Sequence, residues 1–296
     1  MYGIWLWICL VAALVPAIAL LIYVYRQDRI EKEPTPLLMK LLGFGVLSAL
    51  IAAIIETVGE WILGIFVDST LKIYWVLYAF LIVAASEEGF KYLFLKKNTW
   101  KHPAFNYRFD AVVYAIFVSL GFAAFENIFY VLDYGLGTAF LRAVISIPGH
   151  FGFAMIMGYF YGKAKEAEQN KDEKGRERNQ LLAFLIPLIL HGIFDALLMV
   201  ESDYAGAVFV LFIVVFYIFV FILLRKESKN DHPILNEETL ATQAAAQPVQ
   251  QAQPIQPVQT VQVEQPAQPV QQETVSDVQS QPTEGVVKPD NYDYNE

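Results

Sequence analysis

Ser86-Glu87-Glu88-Gly89-Phe90-Lys91 interrupts an apolar run that extends from Trp75 to Leu95. Without that interruption the run would read as a plain membrane helix, which needs about 20 apolar residues. A single acid at the centre of such a helix costs roughly 2.5 to 3.5 kcal/mol on insertion scales, so two adjacent acids and a lysine must face one another or a polar cavity. On a helix Glu87 and Lys91 are four residues apart and Glu88 and Lys91 three, so one lysine reaches both carboxylates. One acid with one base would make an ion pair that locks helix packing. The second glutamate exceeds that need and places a functional cavity here.

The surrounding chain supplies the helices that such a cavity requires. Of its 296 residues 56% are hydrophobic, the mean hydropathy is +0.40 and there is one cysteine, which excludes a disulfide scaffold and an ordinary soluble domain. Apolar stretches at 3–25, 37–66, 73–95, 111–132, 139–161, 181–200 and 204–224 predict an all-α polytopic membrane helical bundle of about seven transmembrane helices. Lys and Arg collect in alternate loops: Arg26, Arg29 and Lys32; Lys96, Lys97, Lys101 and Arg108; then Lys163 to Arg178; then Arg225-Lys226. The intervening loops are nearly bare of them. Because cytoplasmic loops are enriched in positive residues, the alternation predicts a multi-pass cell-membrane protein with its N-terminus outside and its C-terminus in the cytoplasm. The first span reads as a retained anchor, since no basic residue precedes it and no small-residue cleavage site follows a short apolar core. Cys9, inside it, reads as a packing residue.

The chain divides at 230. Residues 1–230 form the transmembrane domain, and 231–296 read as a disordered Gln/Pro-rich cytoplasmic tail. Nine acids against the single Lys288 give the part from Asn236 onward a charge of -8 out of the chain's -9. The membrane part is therefore near neutral, which argues against nucleic acid or a charged soluble substrate.

Further ionisable residues recur at mid-span. Glu56 and Glu60 share one face of the second span, where a structural or substrate-positioning role fits the outer depth of Glu60. Asp110 opens the fourth span as an N-cap. Within that span Gly121, Ala123 and Ala124 offer a small-residue face beside Glu126 and Asn127, the amide reading first as interhelical glue. Pro148-Gly149-His150 lies mid-way along the fifth span, and His191 with Asp195 one turn on lies in the sixth. A carboxylate there would fix the tautomer of the imidazole. His102 and His232 fall in cytoplasmic segments. At about 1.5 Å of rise per residue, Glu87, Glu126, His150 and His191 come within one or two turns of the bilayer centre on four separate helices.

Such a set serves proton-coupled transport, metal transport or hydrolysis of a bond in the bilayer. A His-Glu-x-x-His zinc signature and the broken inverted repeats of many transporters are both missing from the sequence. The ordered set Glu87-Glu88-x-x-Lys91, Phe122-x-x-x-Glu126, His150 and His191-x-x-x-Asp195 resembles the PrsW family of intramembrane proteases, relatives of the CAAX prenyl endopeptidases. Lys91, Glu126 and Asp195 stand where the endopeptidase motifs carry arginine, histidine and asparagine. The resemblance implies a peptidase that makes the site-1 cut in a membrane-bound anti-sigma factor, a single-span protein, so that a second protease can free the sigma factor in a stress response. Glu87, Glu88, Glu126 and His191 are then the expected catalytic residues, with Lys91, Asn127 and Asp195 in support. Glu87 would be the base, Glu88 or Glu126 would protonate the leaving amine, and His191 and Asn127 would stabilise the oxyanion or bind the water. A zinc ion on Glu126, His150 and His191 and a metal-free glutamic mechanism both fit. A proton- or ion-coupled transporter and a non-enzymatic membrane scaffold are the alternatives.

Overall fold

The computed structural model describes residues 2–200 and 202–234. The helices are α1 (Tyr2–Gln27), α2 (Thr35–Phe66), α3 (Lys72–Thr99), α4 (Asp110–Tyr134), α5 (Leu136–Val144), α6 (Ser146–Gln169), α7 (Glu173–Met199) and α8 (Ala205–Lys229). Among the described residues seven helical stretches are long and apolar enough to cross a membrane, α5 and α6 together forming the fifth. The chain is thus an all-α, multi-pass membrane bundle, as its hydropathy predicts. The rest of the tail, from residue 235 on, lies outside the described residues.

Lipid gives apolar side chains no reason to leave it, so the bundle depends on close packing between helices. Helix α4 occupies the centre and packs against α1, α2 and α6. Two glycine contacts bring its backbone against its neighbours. A methyl carbon added at Gly45 of α2 would lie 2.1 Å from the Val118 carbonyl oxygen, and one at Gly158 of α6 would lie 2.5 Å from Val112 Cα. Only hydrogen fits at either position. Cys9 is buried near Ala13, Val131 and Ala139, a packing residue as expected.

Two departures from regular helix set the height and rotation of the site. Over Tyr78–Ala84 the hydrogen bonds of α3 shift to π-helical turns, immediately before Ser86. One widened segment rotates everything that follows it, and such segments occur often at functional sites. Across from it, Gly192 of α7 lets Phe80 approach to 2.5 Å from where a Cβ would stand. The second departure corrects the sequence reading of the fifth span: it is not one helix but breaks at Ile145 (φ -110°, ψ -68°) between α5 and α6. Pro148 therefore lies in the first turn of α6, where its missing N–H leaves no intrahelical bond unmade. The Pro148-Gly149-His150 motif begins a helix rather than sitting mid-way along one.

At the opposite end of the bundle, the loops before α2 and α4 meet the end of α8. Asp231 Oδ1 accepts from Phe109 N at 2.9 Å, Ile234 N donates to Asn106 O at 2.7 Å, and Ser228 Oγ donates to Gln27 O. Residues 231–234, grouped with the tail on composition, pack here against the folded part. Asp110 departs from its expected role as an N-cap of its own helix. Its Oδ2 accepts from Asn106 N (3.0 Å) and Tyr107 N (2.7 Å), so it braces the preceding loop. Tyr114 is hydrogen-bonded to both Glu33 Oε2 and the Ala104 carbonyl. A phenol has one hydrogen to give, so a protonated Glu33 satisfies the arrangement best. Burial does push Glu33 up to about 7 and Asp28 up to about 6.

Candidate functional site

The residues singled out in the sequence converge. Lys91 Nζ, fully buried, donates to Glu87 Oε2 at 2.9 Å and Glu88 Oε1 at 2.8 Å, and lies 3.3 Å from His150 Nδ1. An ammonium can only donate, so His150 accepts through Nδ1 and carries its hydrogen on Nε2. That nitrogen faces Glu126 Oε2 at 3.2 Å. From α7, His191 Nδ1 lies 3.0 Å from Glu88 Oε1. One lysine, three carboxylates and two imidazoles from α3, α4, α6 and α7 thus form a connected group inside the bundle.

Aromatic rings complete it. Phe122 lies beneath the ammonium, 3.9 Å from ring centre to Nζ, and Phe153 stacks on His191 at 4.7 Å. A cation over a desolvated ring face gains on the order of 2 kcal/mol. Ser119 Oγ donates to the His150 carbonyl at 3.0 Å, tying α4 to the first turns of α6.

The group forms the floor of a cavity of about 340 Å³. Glu87, Glu126, His150, His191 and Asp195 line it, together with Glu56 of α2. Glu88 is not among the lining residues, being wholly buried behind Lys91 and His191. Glu56 and Glu60, which share a face in sequence, separate here: Glu60 is exposed and does not line the cavity.

Two supporting residues take partners that spacing does not reveal. Asn127 donates from Nδ2 to the Ala13 carbonyl (2.7 Å) and accepts from Arg142 Nε (2.9 Å), so both its polar ends are committed to joining α1 and α5 to α4. Those bonds are the interhelical glue that the sequence suggests first. Asp195 Oδ2 lies 3.3 Å from His191 Nε2 without hydrogen-bond alignment, and the imidazole is held from its other side by Glu88.

Arg142 was not anticipated. It comes from the short helix α5, pairs with Glu126 Oε2 at 2.6 Å, lies over Tyr130 at 4.0 Å and lines the cavity. The sequence does carry a signal for it: a lone arginine in an apolar run must find a carboxylate.

Comparison with known proteins agrees with this geometry. The family model described as PrsW family intramembrane metalloprotease matches residues 33–224. The "Protease PrsW" of Oceanobacillus iheyensis is 36% identical over 225 residues, 76% of this chain and 97% of that protein. The protein of the same name from Bacillus subtilis is 31% identical over 193 residues, 65% of this chain and 84% of its own length. The chain belongs to the PrsW family. No solved structure matches the chain. Membership in this peptidase family decides between hydrolysis and the transporter and scaffold alternatives.

The family description implies a metal, and the residues fit one. Glu87, Glu88, His150 and His191, all buried, each offer a ligand atom, and these atoms lie within 4.8 Å of one another. Carboxylate oxygens and imidazole nitrogens are zinc-type donors. Two buried oxygens beside them, Glu88 Oε2 and Asp195 Oδ2, have no hydrogen-bond partner. This set differs from Glu126, His150 and His191, the trio weighed from sequence, because Glu126 sits on the far nitrogen of His150 and is occupied by Arg142.

Proposed function

We propose that this PrsW-family chain makes the site-1 cut in a membrane-bound anti-sigma factor, a single-span protein. The observation that carries the reading is the buried Glu87, Glu88, Lys91, His150 and His191 group at the floor of a cavity within a seven-span bundle. A substrate anchored in the same bilayer reaches such a cavity without crossing water.

Glu87 is the general base. It is the one of the adjacent pair that lines the cavity, and Lys91 holds its Oε2 at a fixed position. It takes a proton from the water that attacks the scissile carbonyl and passes it to the amide nitrogen as the C–N bond breaks. Glu88 stays behind it as the anion that fixes Lys91 and His191. His150 and His191 line the cavity beside Glu87, with His191 Nε2 3.9 Å from Glu87 Oε2, and Glu126, neutralised by Arg142, holds the hydrogen of His150 on Nε2. A zinc ion held by Glu88, His150 and His191, with Glu87 left free as the base, would supply Lewis-acid polarisation of the water and the carbonyl.

The cavity reaches Leu141 of α5 and Leu198 and Met199 at the end of α7. With the N-terminus outside and the C-terminus in the cytoplasm, as the basic loops indicate, that end faces outward, where a first cut would release an external domain. Co-expression of candidate anti-sigma factors with the wild-type chain and with Glu87→Ala tests the reading by blot. A shortened fragment with wild type alone is expected. Anti-sigma factors that stay intact with both, while another single-span protein is cut, would contradict the assigned substrate.

A further inference from the structure

A second opening leads into the same site. Between α2 and α4 lies a space of about 270 Å³ that shares Glu56, Glu87, Glu126 and Tyr130 with the catalytic cavity. Its cause is local. Helices α2 and α4 meet backbone to backbone at Gly45 and Gly121, where added methyl carbons would lie 2.1 Å from Val118 O and 2.4 Å from Leu42 O. One to two turns further along α2, beyond Gly45, the small residues Ala49 and Ala53 line the space and leave a gap to Phe125 and Phe129. The outer rim is apolar and open, with Leu50 46% and Phe129 52% exposed. It therefore faces lipid.

Two other grooves on the bundle do not compete. That of about 440 Å³ beside α8, around Phe212 and Phe216, and that of about 680 Å³ between α3 and α7, around Tyr92 and Phe184, share no lining residue with the catalytic cavity.

The occupant follows from the lining. An acyl chain would fill the apolar rim but offers nothing to the carboxylates at the inner end. A polypeptide offers both. A peptide bond inside a membrane helix has its N–H and C=O taken, so it must unwind before attack, and each group freed in lipid costs several kcal/mol unless a partner receives it. Glu56 stands at the junction of the two spaces, where such N–H groups emerge.

We infer that the membrane segment of the substrate enters sideways from the bilayer through this portal between α2 and α4, with Glu56 at its inner end accepting the backbone N–H groups freed on unwinding. The inference rests on the reading of the substrate as a membrane-anchored protein and adds the route and the residue that receives it.

The test uses the purified full chain in lipid nanodiscs with two probes. One is a single-span membrane protein that the wild-type chain cuts at a mapped bond. The other is a water-soluble peptide covering the same bond. Ala53→Trp plugs the portal from an exposed position, and Val215→Trp places the same bulk on the exposed face of α8. Ala53→Trp is expected to slow cleavage of the anchored protein by about tenfold or more while the peptide is cut at its wild-type rate. Val215→Trp should change neither. Glu56→Leu is expected to raise KM for the peptide by about tenfold with kcat kept, as loss of a binding contact requires. The portal is overturned if Ala53→Trp slows both probes alike, or if Val215→Trp slows the anchored protein as much. Loss of kcat at constant KM in Glu56→Leu overturns the role given to that residue. A wild-type chain that cuts the peptide but no anchored protein at all removes the substrate reading itself, and the portal with it.

Discussion

The bundle buries carboxylates in two places and neutralises them in different ways. At mid-membrane, Glu87 and Glu88 share Lys91, Glu126 has Arg142, and the set opens on a cavity. At the junction of α1, α4 and α8, Asp28, Glu33 and Asp110 are almost fully buried beside Asp231. Backbone N–H groups hold Asp110 and Asp231 there and a phenol holds Glu33, while both carboxylate oxygens of Asp28 are without a hydrogen-bond partner among the described residues. Burial penalises the charged form of an acid in either place. Where cations balance it, fixed charge is kept beside a space that a substrate can enter. At the junction burial outweighs the one nearby lysine, Lys32, so Asp28 and Glu33 are shifted toward the protonated form, and Asp110 braces the preceding loop. Burial of an acid alone therefore does not separate the two places; the buried cation and the adjoining cavity do.

The largest effect should follow Lys91→Met, which leaves two buried carboxylates facing each other. Breaking a buried pair by removing one partner costs about 3 to 5 kcal/mol, so the variant should unfold in detergent well below the wild-type temperature, or fail to accumulate. Asp28→Asn in the junction should cause no comparable loss, because Asp28 has no hydrogen-bond partner on either carboxylate oxygen to lose. Equal destabilisation by the two substitutions would erase the contrast between the regions.

A smaller effect should separate the two regions by pH. Folded Glu33 and Asp28 hold protons up to about 7 and about 6, well above their ordinary values of 4.5 and 3.8. Between the ordinary and the raised values the folded state binds more protons than the unfolded chain, so this junction loses stability as pH rises through that window and changes no further above about 7. The thermal midpoint should fall between about pH 5 and pH 7.5, and the double variant Asp28→Asn, Glu33→Gln should flatten the slope. A wild-type slope unchanged in the double variant would show that the junction acids are ionised throughout.

Much of this was legible because lipid penalises polar groups heavily. Seven spans follow from bilayer thickness, and Glu87, Glu126, His150 and His191 were visible as charges and imidazoles out of place in apolar runs. What stayed hidden depends on backbone and partner geometry. The π-helical turns at Tyr78–Ala84 occur in residues that would serve equally in a regular helix. The break at Ile145 has apolar residues on both sides, so hydropathy reads through it and conceals Arg142 inside an apparent span. Helical spacing suggested Asp195 as the partner of His191, yet the aligned contact comes from Glu88 on a different helix. Asp110 begins its helix as expected, but the direction of a carboxylate is not written in its position.

The central claim is that the mid-membrane group is the proteolytic centre and that Glu87 is its base. The most direct measurement is the cleavage rate of the soluble peptide by purified wild type and Glu87→Gln, with the thermal midpoint of each taken in the same preparation. Glu88 remains to balance Lys91 in the variant. A midpoint close to wild type and a loss of at least about a hundredfold in kcat, the scale of a missing general base, are expected. Cleavage at the wild-type rate by a folded Glu87→Gln chain would contradict the claim.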